Sequence, residues 1–461
     1  MDLAKKKVAV VGLGLSNRAL IRYLLGQGVV PTACDRLGPE ELGAAYGELA
    51  AQGVAFRLGP GYLEDLEDFD VVFLTPGMPK HLPPIEKAKE AGVVLSSEID
   101  LFFDLCPAPI VGITGSSGKT TTTTLVGKLL AAGGRRVFVG GNIGTPLIDQ
   151  VDSITHEDRV VLELSSFQLE LMEKSPHVAV ITNITPNHLD VHPSMEHYVN
   201  AKKNIYRWQD EGDVAIFNDD DPYTPKMMQE ARGQVFTFSR FHPVARGAWV
   251  DGEQIVLTGT ELEGTVCSVK DLALLGGHNV DNVLAACLAA ATVGVSRHHM
   301  AAVCRTFTGV AHRLELVGEV RGVKYYNDSI ATTPARAIAG LNAFTAPIIL
   351  IAGGSDKNLP FDELADHIIS RVKHLILVGV TAEKIERAVR GKKKDFPVLR
   401  AKEFSQAVKL AATVARPGDV VLLSPACASY DMFRNFEERG DLFRRLVGEL
   451  ADEAGNACPR R

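Results

Sequence analysis

Short runs of consecutive apolar residues alternate with stretches whose apolar positions recur every three to four residues along almost the whole chain. Runs of the first kind suit strands buried on both faces, and the second pattern suits helices with one buried stripe. Together they predict α/β architecture, parallel sheets covered by helices. Lys7–Val11 predicts a first strand, followed by a glycine turn, a helix over Arg18–Leu25, and strands at Val30–Ala33 and Asp70–Leu74. SEIDLFFDLC then reads as a helix, and the two prolines of Cys106-Pro107-Ala108-Pro109 suit a linker. A second strand–turn–helix unit begins at Ile110, with strands at Val160–Leu164 and Val178–Ile181, a β-rich stretch around 235–269 and an alanine-rich helix over 279–292. A third α/β run starts near His312, with strands at 316–320, 323–326, 347–352, 374–378 and 419–423. The pattern predicts three α/β domains, 1–106, 107–310 and 311–461.

Length agrees: 461 residues exceed what one core supports, and about 100–200 residues per domain gives about three. With 46% hydrophobic and 23% charged residues the chain has ample core material. A net charge of −7 opposes sequence-independent nucleic-acid binding, which needs a basic footprint. The seven cysteines lack CxxC spacing, so reduced, mostly buried thiols are expected rather than a disulfide framework or a zinc site. The opening MDLAKKKVAVVGLG reads as a strand, not a signal peptide, and no run of 18 apolar residues could span a membrane. A cytoplasmic protein that does not associate with membranes is expected.

Three motifs carry candidate chemistry. Gly12 to Asn17 (GLGLSN) follows a strand and opens a helix, and Asp35, followed by Arg36, ends the next strand. The arrangement is Rossmann-like, although Asn17 replaces the third glycine of the dinucleotide fingerprint. A nicotinamide or flavin cofactor, another diphosphate such as a UDP-sugar, and a tight turn without ligand all remain open. A second loop, Thr75-Pro76-Gly77-Met78-Pro79, lies at the same carboxyl edge of that sheet, where ligands bind, and favours some ligand.

GITGSSGKTTTTTL (Gly112 to Leu125) is a phosphate loop: backbone N–H groups of Gly115, Ser116, Ser117, Gly118 and Thr121 can cradle phosphates, Lys119 can neutralise them, and the Thr120 hydroxyl can ligate Mg²⁺. It is a variant, because Ile113 stands where the usual spacing places the first glycine. Glu163, in the apolar strand before SSFQLE, is either the carboxylate that serves the Mg²⁺ of such a loop or an acid at an exposed edge. His188, in NITPNHLDVH, would emerge at a strand's carboxyl end on the same sheet edge, which favours a functional over a surface histidine. Lys202 and Lys203, in AKKNIY, read from spacing alone as a solvated charged face.

Taken together these residues resemble the Mur ligases, the amide ligases of peptidoglycan precursor synthesis. The loop, the SSFQLE strand, NHLD and AKKNIY are joined, in family order, by GGNIG (140–144), HNVDN (278–282), AHRLE (311–315), NDSIAT (327–332), AGGSDK (352–357) and SPACASYDMFRNFEERG (424–440). The resemblance implies a Rossmann-like UDP-substrate-binding domain, a central P-loop ATPase-like domain and a Rossmann-like C-terminal amino-acid-binding domain. It implies ATP and Mg²⁺ as cofactors, UDP-N-acetylmuramoyl-L-alanine and D-glutamate as substrates, and a monomer. By the same resemblance, Thr120 and Glu163 would hold one Mg²⁺, and His188 with a carbamylated Lys202 a second. Asn279 would meet adenine, Asp328 the ribose, Arg313 the transferring phosphoryl group, and Asn142 the activated substrate. Thr332, Lys357, Ser429 and the Phe436 backbone would bind D-glutamate, while Leu15, Ser16, Asp35, Arg36, Thr75 and Gly77 would line the UDP end. Three residues depart from the family pattern: Ser117 where Asn is usual, Ile330 where many members carry Lys, and Val191 in place of a frequent Arg. The expected chemistry is amide formation through an acyl phosphate, with the third domain swinging towards the second. An oxidoreductase built on the first turn and a nucleotide switch remain the competing classes.

Overall fold

The computed structural model describes residues 3–187, 191–274, 276–357 and 359–455. The chain divides into two compact units, Met1–Phe307 and Thr308–Arg461, which contain three sheets between them.

The first sheet is wholly parallel, in the order Ala55–Leu58, Thr32–Asp35, Val8–Val11, Val71–Leu74, Val94–Ser96. Chain order reverses beside Val8–Val11, so the turns leaving Val11 and Leu74 border the crevice where such sheets take ligands. The second strand begins two residues later than the expected Val30–Ala33, with Thr32 opposite Ala9. Pro31 has no N–H to give a ladder, and Val30 stays 60% exposed.

The second sheet has nine strands. Five of them, Val214–Asn218, Val178–Ile181, Ile110–Thr114, Arg159–Glu163 and, at the sheet edge, Val137–Gly141, run parallel. The β-rich stretch resolves into Gln234–Ser239, Gly247–Asp251, Gln254–Thr258 and Gly264–Ser268; the first two are parallel to each other, and the last two pairings are antiparallel. Helices Lys119–Ala132 and Gly277–Thr292 cover one face, and the second is buried along almost its whole length. On the other side one apolar cluster runs without a break from Leu3, Leu20 and Phe102 of the first sheet's layer to Ile148, Ile205 and Phe217 of the second. Arg22 and Asp149 form an ion pair across that seam at 2.5 Å.

In the unit from Thr308 a six-stranded sheet runs Glu315–Val320, Val323–Asn327, Val420–Leu423, Ile348–Ala352, Val372–Leu377, Val398–Arg400. Only the first strand is antiparallel. Helices pack on both faces around two apolar clusters. No helix among the described residues is long and apolar enough to cross a membrane.

Candidate active site

Where Val11 leaves the first sheet, Gly12 takes φ +85°. A Cβ there would lie 2.7 Å from the Thr75 side chain, so glycine lets the two ligand-edge loops touch. Asn17, in place of the third glycine, is buried and donates from Nδ2 to Val11 O at 2.9 Å and Gly12 O at 2.8 Å. An amide side chain thus fastens the turn. Asp35 braces it from the other side, accepting the Leu13 N–H at 2.6 Å and the Leu37 N–H at 2.9 Å. Leu15, Arg36 and Gly77 are exposed around this edge, and Ser16 and Thr75 are half-buried.

The phosphate loop leaves the middle of the second sheet. Gly118 takes φ +79°, and a Cβ on it would strike Asn282 Oδ1 at 2.2 Å. The loop is fastened to the neighbouring strand exit. Ser116 Oγ exchanges hydrogen bonds with the Thr185 backbone at 2.8 Å and meets Tyr198 Oη at 2.9 Å. Asn183 accepts the Ser117 N–H at 3.0 Å. Thr182 donates to Ser117 O at 2.6 Å. Behind the loop, Asn282 accepts from Thr122 Oγ1 at 3.3 Å and donates to Asn279 Oδ1 at 3.0 Å. Thr182, Asn183, Tyr198 and Asn282 escaped the sequence reading. Their signal was position: three lie within or beside quoted motifs, but polar residues beside a motif do not announce which way they point.

Glu163 is 2% exposed, so the exposed-edge alternative falls. Both its oxygens are held: Thr120 Oγ1 donates to one at 2.7 Å and Asn142 Nδ2 to the other at 2.9 Å. A hydroxyl and a carboxylate side by side are hard oxygen donors of the kind Mg²⁺ takes.

Lys202 overturns the solvated-face expectation: it is 1% exposed. Its Nζ donates to Gly115 O at 2.9 Å and to Thr114 Oγ1 at 3.3 Å, and the Lys119 ammonium donates to the same Gly115 carbonyl at 2.9 Å. Burial first, and the Lys119 charge second, push the Lys202 pKa well below its ordinary value, while Glu163 opposes them. Lys203, next in sequence, turns outward and pairs with Glu230 at 2.7 Å. Helical spacing held the clue, because Tyr198, Ala201, Lys202, Ile205 and Tyr206 form the buried face. His188 lies outside the described residues.

In the second unit, Lys357 Nζ reaches Thr332 Oγ1 at 3.4 Å, bringing two of the expected residues together. Asp328 accepts from Ser424 Oγ at 2.8 Å and the Leu314 N–H at 3.3 Å, and burial raises its pKa to about 7. Arg313 is flanked by His312 and Leu314, both held at positive φ (63° and 43°). Non-glycine residues reach that region only where the surroundings impose it. Ser429 is buried. The Phe436 carbonyl accepts from Ser329 Oγ at 2.8 Å. Arg439, which the sequence reading did not single out, is 1% exposed and gathers this region, donating to Ser329 Oγ and O and to the Cys427 and Ala428 carbonyls at 2.9–3.3 Å.

The sheets and the loop define an α/β protein of the phosphate-loop class, with Rossmann-like units before and after it in sequence. Family profiles narrow this: one described as Mur ligase MurD-like, N-terminal domain matches residues 6–97, Mur ligase middle domain matches 113–290, and Mur ligase, glutamate ligase domain matches 312–427. The chain belongs to the Mur ligase family. It is 53% identical over 449 residues to the UDP-N-acetylmuramoylalanine–D-glutamate ligase of Symbiobacterium thermophilum, covering 97% of this chain and 99% of that protein. Among solved structures, the UDP-N-acetylmuramate-alanine ligase of Thermotoga maritima shares the fold (TM-score 0.56, 19% identity, 97% of this chain and 100% of that one). So does the MurF ligase of Thermotoga maritima in complex with ADP (TM-score 0.54, 18% identity, 98% and 100%).

Proposed function

We propose that this chain is the ligase that uses ATP to join D-glutamate to UDP-N-acetylmuramoyl-L-alanine in peptidoglycan precursor synthesis. The name of its 53%-identical relative supports the substrates. The observation that carries the chemistry is two lysine Nζ atoms donating to one carbonyl, Gly115 O, with Glu163 held by Thr120 and Asn142. That is a concentration of positive charge and hard oxygen donors built for phosphate and its cation.

The reaction starts with attack of the L-alanyl carboxylate on the γ-phosphorus of ATP, which gives an acyl phosphate and ADP. The D-glutamate amine then adds to the acyl carbon, loses its proton, and phosphate leaves as the amide forms. Lys119 and the N–H groups of Gly115, Ser116, Ser117, Gly118 and Thr121 would hold the phosphates and offset charge between two anions. Thr120 and Glu163 would hold Mg²⁺, which supplies Lewis-acid neutralisation when bound. Asn142, already on Glu163, would position the activated carboxylate. No protein nucleophile is needed, and positioning supplies much of the rate.

Lys202 fits a second role. A neutral amine adds CO₂ and releases a proton, giving a carbamate, and burial beside Lys119 favours the neutral amine. The carbamate would turn a cation into an anionic oxygen ligand, to act with His188 on a second Mg²⁺. In the second unit we assign Asp328 to the ribose, Arg313 to phosphoryl charge, and Thr332, Lys357, Ser429 and the Phe436 backbone to D-glutamate. Asn279 would meet adenine. Leu15, Ser16, Asp35, Arg36, Thr75 and Gly77 would receive the UDP end, the diphosphate facing the N–H groups of the first turn. We further propose domain limits at 1–106, 107–310 and 311–461, a monomer, and a cytoplasmic location.

Phosphate release from ATP, Mg²⁺ and UDP-N-acetylmuramoyl-L-alanine, followed with each amino acid in turn, tests this. Release should require D-glutamate and fall about 100-fold or more in Lys119→Ala, the usual scale for losing an electrostatic contact to the transition state. Dependence on a different amino acid would overturn the substrate, and release without any amino acid would overturn the ligase.

A further inference from the structure

The seam between the first and second sheets carries a cluster that the proposed reaction does not use. His81 follows the Thr75–Pro79 loop, Glu170 ends the short helix Ser166–Leu169, and His197 lies in the first turn of Met195–Arg207. One ligand atom from each lies within 4.8 Å of the others. The two Nε2 atoms are 3.4 Å apart, and Glu170 Oε1 is 3.9 Å from that of His81 and 3.6 Å from that of His197. A tetrahedral cation with ligands at about 2.0–2.1 Å requires ligand–ligand edges of about 3.3–3.4 Å. The imidazole pair has that spacing already, and the carboxylate needs a shift of a few tenths of an ångström.

The outer nitrogens are supported as well. His197 Nδ1 meets Nδ1 of buried His192 at 3.0 Å, and His192 Nε2 meets Ser166 Oγ at 2.9 Å while its ring stacks on Phe167. His81 Nδ1 faces Glu86 at 3.8 Å. Ligand histidines are oriented in this way, by a partner on the ring nitrogen that does not bind metal. Two Nε2 atoms this close are joined in one of two ways: the N–H of one neutral ring donates to the other, or a metal is bound by both. Lys80, which feels the Glu170 charge, would oppose a metal, but its Nζ is tied to the carbonyls of Thr75, Pro76 and Met78 at 2.7–3.1 Å.

We propose that His81, Glu170 and His197 form a Zn²⁺ site that clips the first domain to the second, with water as fourth ligand. Two imidazoles and a carboxylate suit a borderline transition cation and not Mg²⁺. The clip ties the segment after the Thr75–Pro79 loop to the start of the helix Met195–Arg207, and none of its three ligands is a residue of the phosphate loop. It is therefore a structural metal, separate from whatever cation serves ATP.

The test uses full-length protein stripped with chelator and held in millimolar Mg²⁺, titrated with Co²⁺ for its visible spectrum and with Zn²⁺ for thermal melting. Wild type should bind one equivalent with the intense bands of tetrahedral Co²⁺, and Zn²⁺ should raise Tm. Lys202→Ala should keep both signals. His81→Ala should lose both, with affinity down tenfold or more, while melting with wild type in chelator and retaining Mg²⁺-dependent amide formation. Should His81→Ala fail to fold, His81→Gln and Glu170→Gln give the same comparison. Binding that survives these substitutions, binding lost in Lys202→Ala instead, or no binding at micromolar metal would each overturn the proposal, the last leaving a hydrogen bond between the rings.

Discussion

Burying Lys202 beside a second ammonium disfavours its charged form, so the folded chain releases this proton more readily than the unfolded one, where a lysine titrates near 10.4. Between the two pKa values the unfolded state binds more protons, and stability rises with pH. The cost is therefore greatest at low pH, shrinks as pH rises through the folded pKa, and disappears above the unfolded pKa. Lys202→Met fills the same space without a charge. In CO₂-free buffer the Met variant should melt higher than wild type at pH 7, with the gap closing towards about pH 10.5, while phosphate release is abolished. A gap that stays constant with pH would mean that folding leaves the Lys202 pKa where it is in the unfolded chain. Added bicarbonate should narrow the gap at neutral pH, because a carbamate removes the amine from the titration.

At the scale of the element, the last helix, Phe436–Glu453, shows how a buried cation can organise a loop. It starts at Asn435, whose side chain accepts the Glu438 N–H at 2.8 Å, and one turn in presents Arg439 to the carbonyls of Cys427 and Ala428 and to Ser329. Ser329 in turn holds Phe436 O. Arg439→Met keeps the volume and strips the donors. Each buried carbonyl left bare costs about 1–3 kcal/mol, so the variant should lose several kcal/mol in denaturant unfolding. If this network positions Ser429 and Phe436 for D-glutamate, KM for D-glutamate should rise at least tenfold with a smaller change in kcat; an unchanged KM would leave Arg439 a purely structural residue. Elements of this kind were only partly legible. Strands such as Val71–Leu74 and Ile348–Ala352 were readable because four or more apolar residues in a row have one common explanation, burial on both faces. The phosphate loop was readable because glycine, lysine and threonine together have no packing rationale. Arg439 and Lys202 were not, because a charged residue on a helix is normally solvated. Only the tertiary partners, carbonyls brought from about ten and over a hundred positions away for Arg439, make its burial tolerable.

On the scale of the whole molecule, three sheets are distributed over two compact units. The sequence pattern treats the linker after Cys106 and the boundary near 310 alike, since both separate one α/β run from the next. The cores distinguish them. Cores of the unit from Thr308 are built of that unit's own residues, Tyr326, Leu350, Leu377 and Leu422 in one and Tyr325, Ile351, Leu423 and Phe443 in the other. The cluster of the first unit passes straight through the Cys106–Pro109 linker, joining Leu20, Ile99 and Phe102 to Leu147, Ile148 and Val151. A fragment of residues 308–461 should therefore fold alone, with a cooperative thermal transition and dispersed amide resonances. A fragment beginning at residue 107 and ending at 307 would leave Leu147, Ile148 and Val151 without their cover. Exposed apolar surface of that size is a liability in a soluble protein, so this fragment should aggregate or bind a hydrophobic dye where 1–307 does not. If 107–307 instead stays monomeric and melts as sharply as 1–307, the apolar seam contributes little to folding, and the first sheet's layer is an independent domain that merely rests on the second.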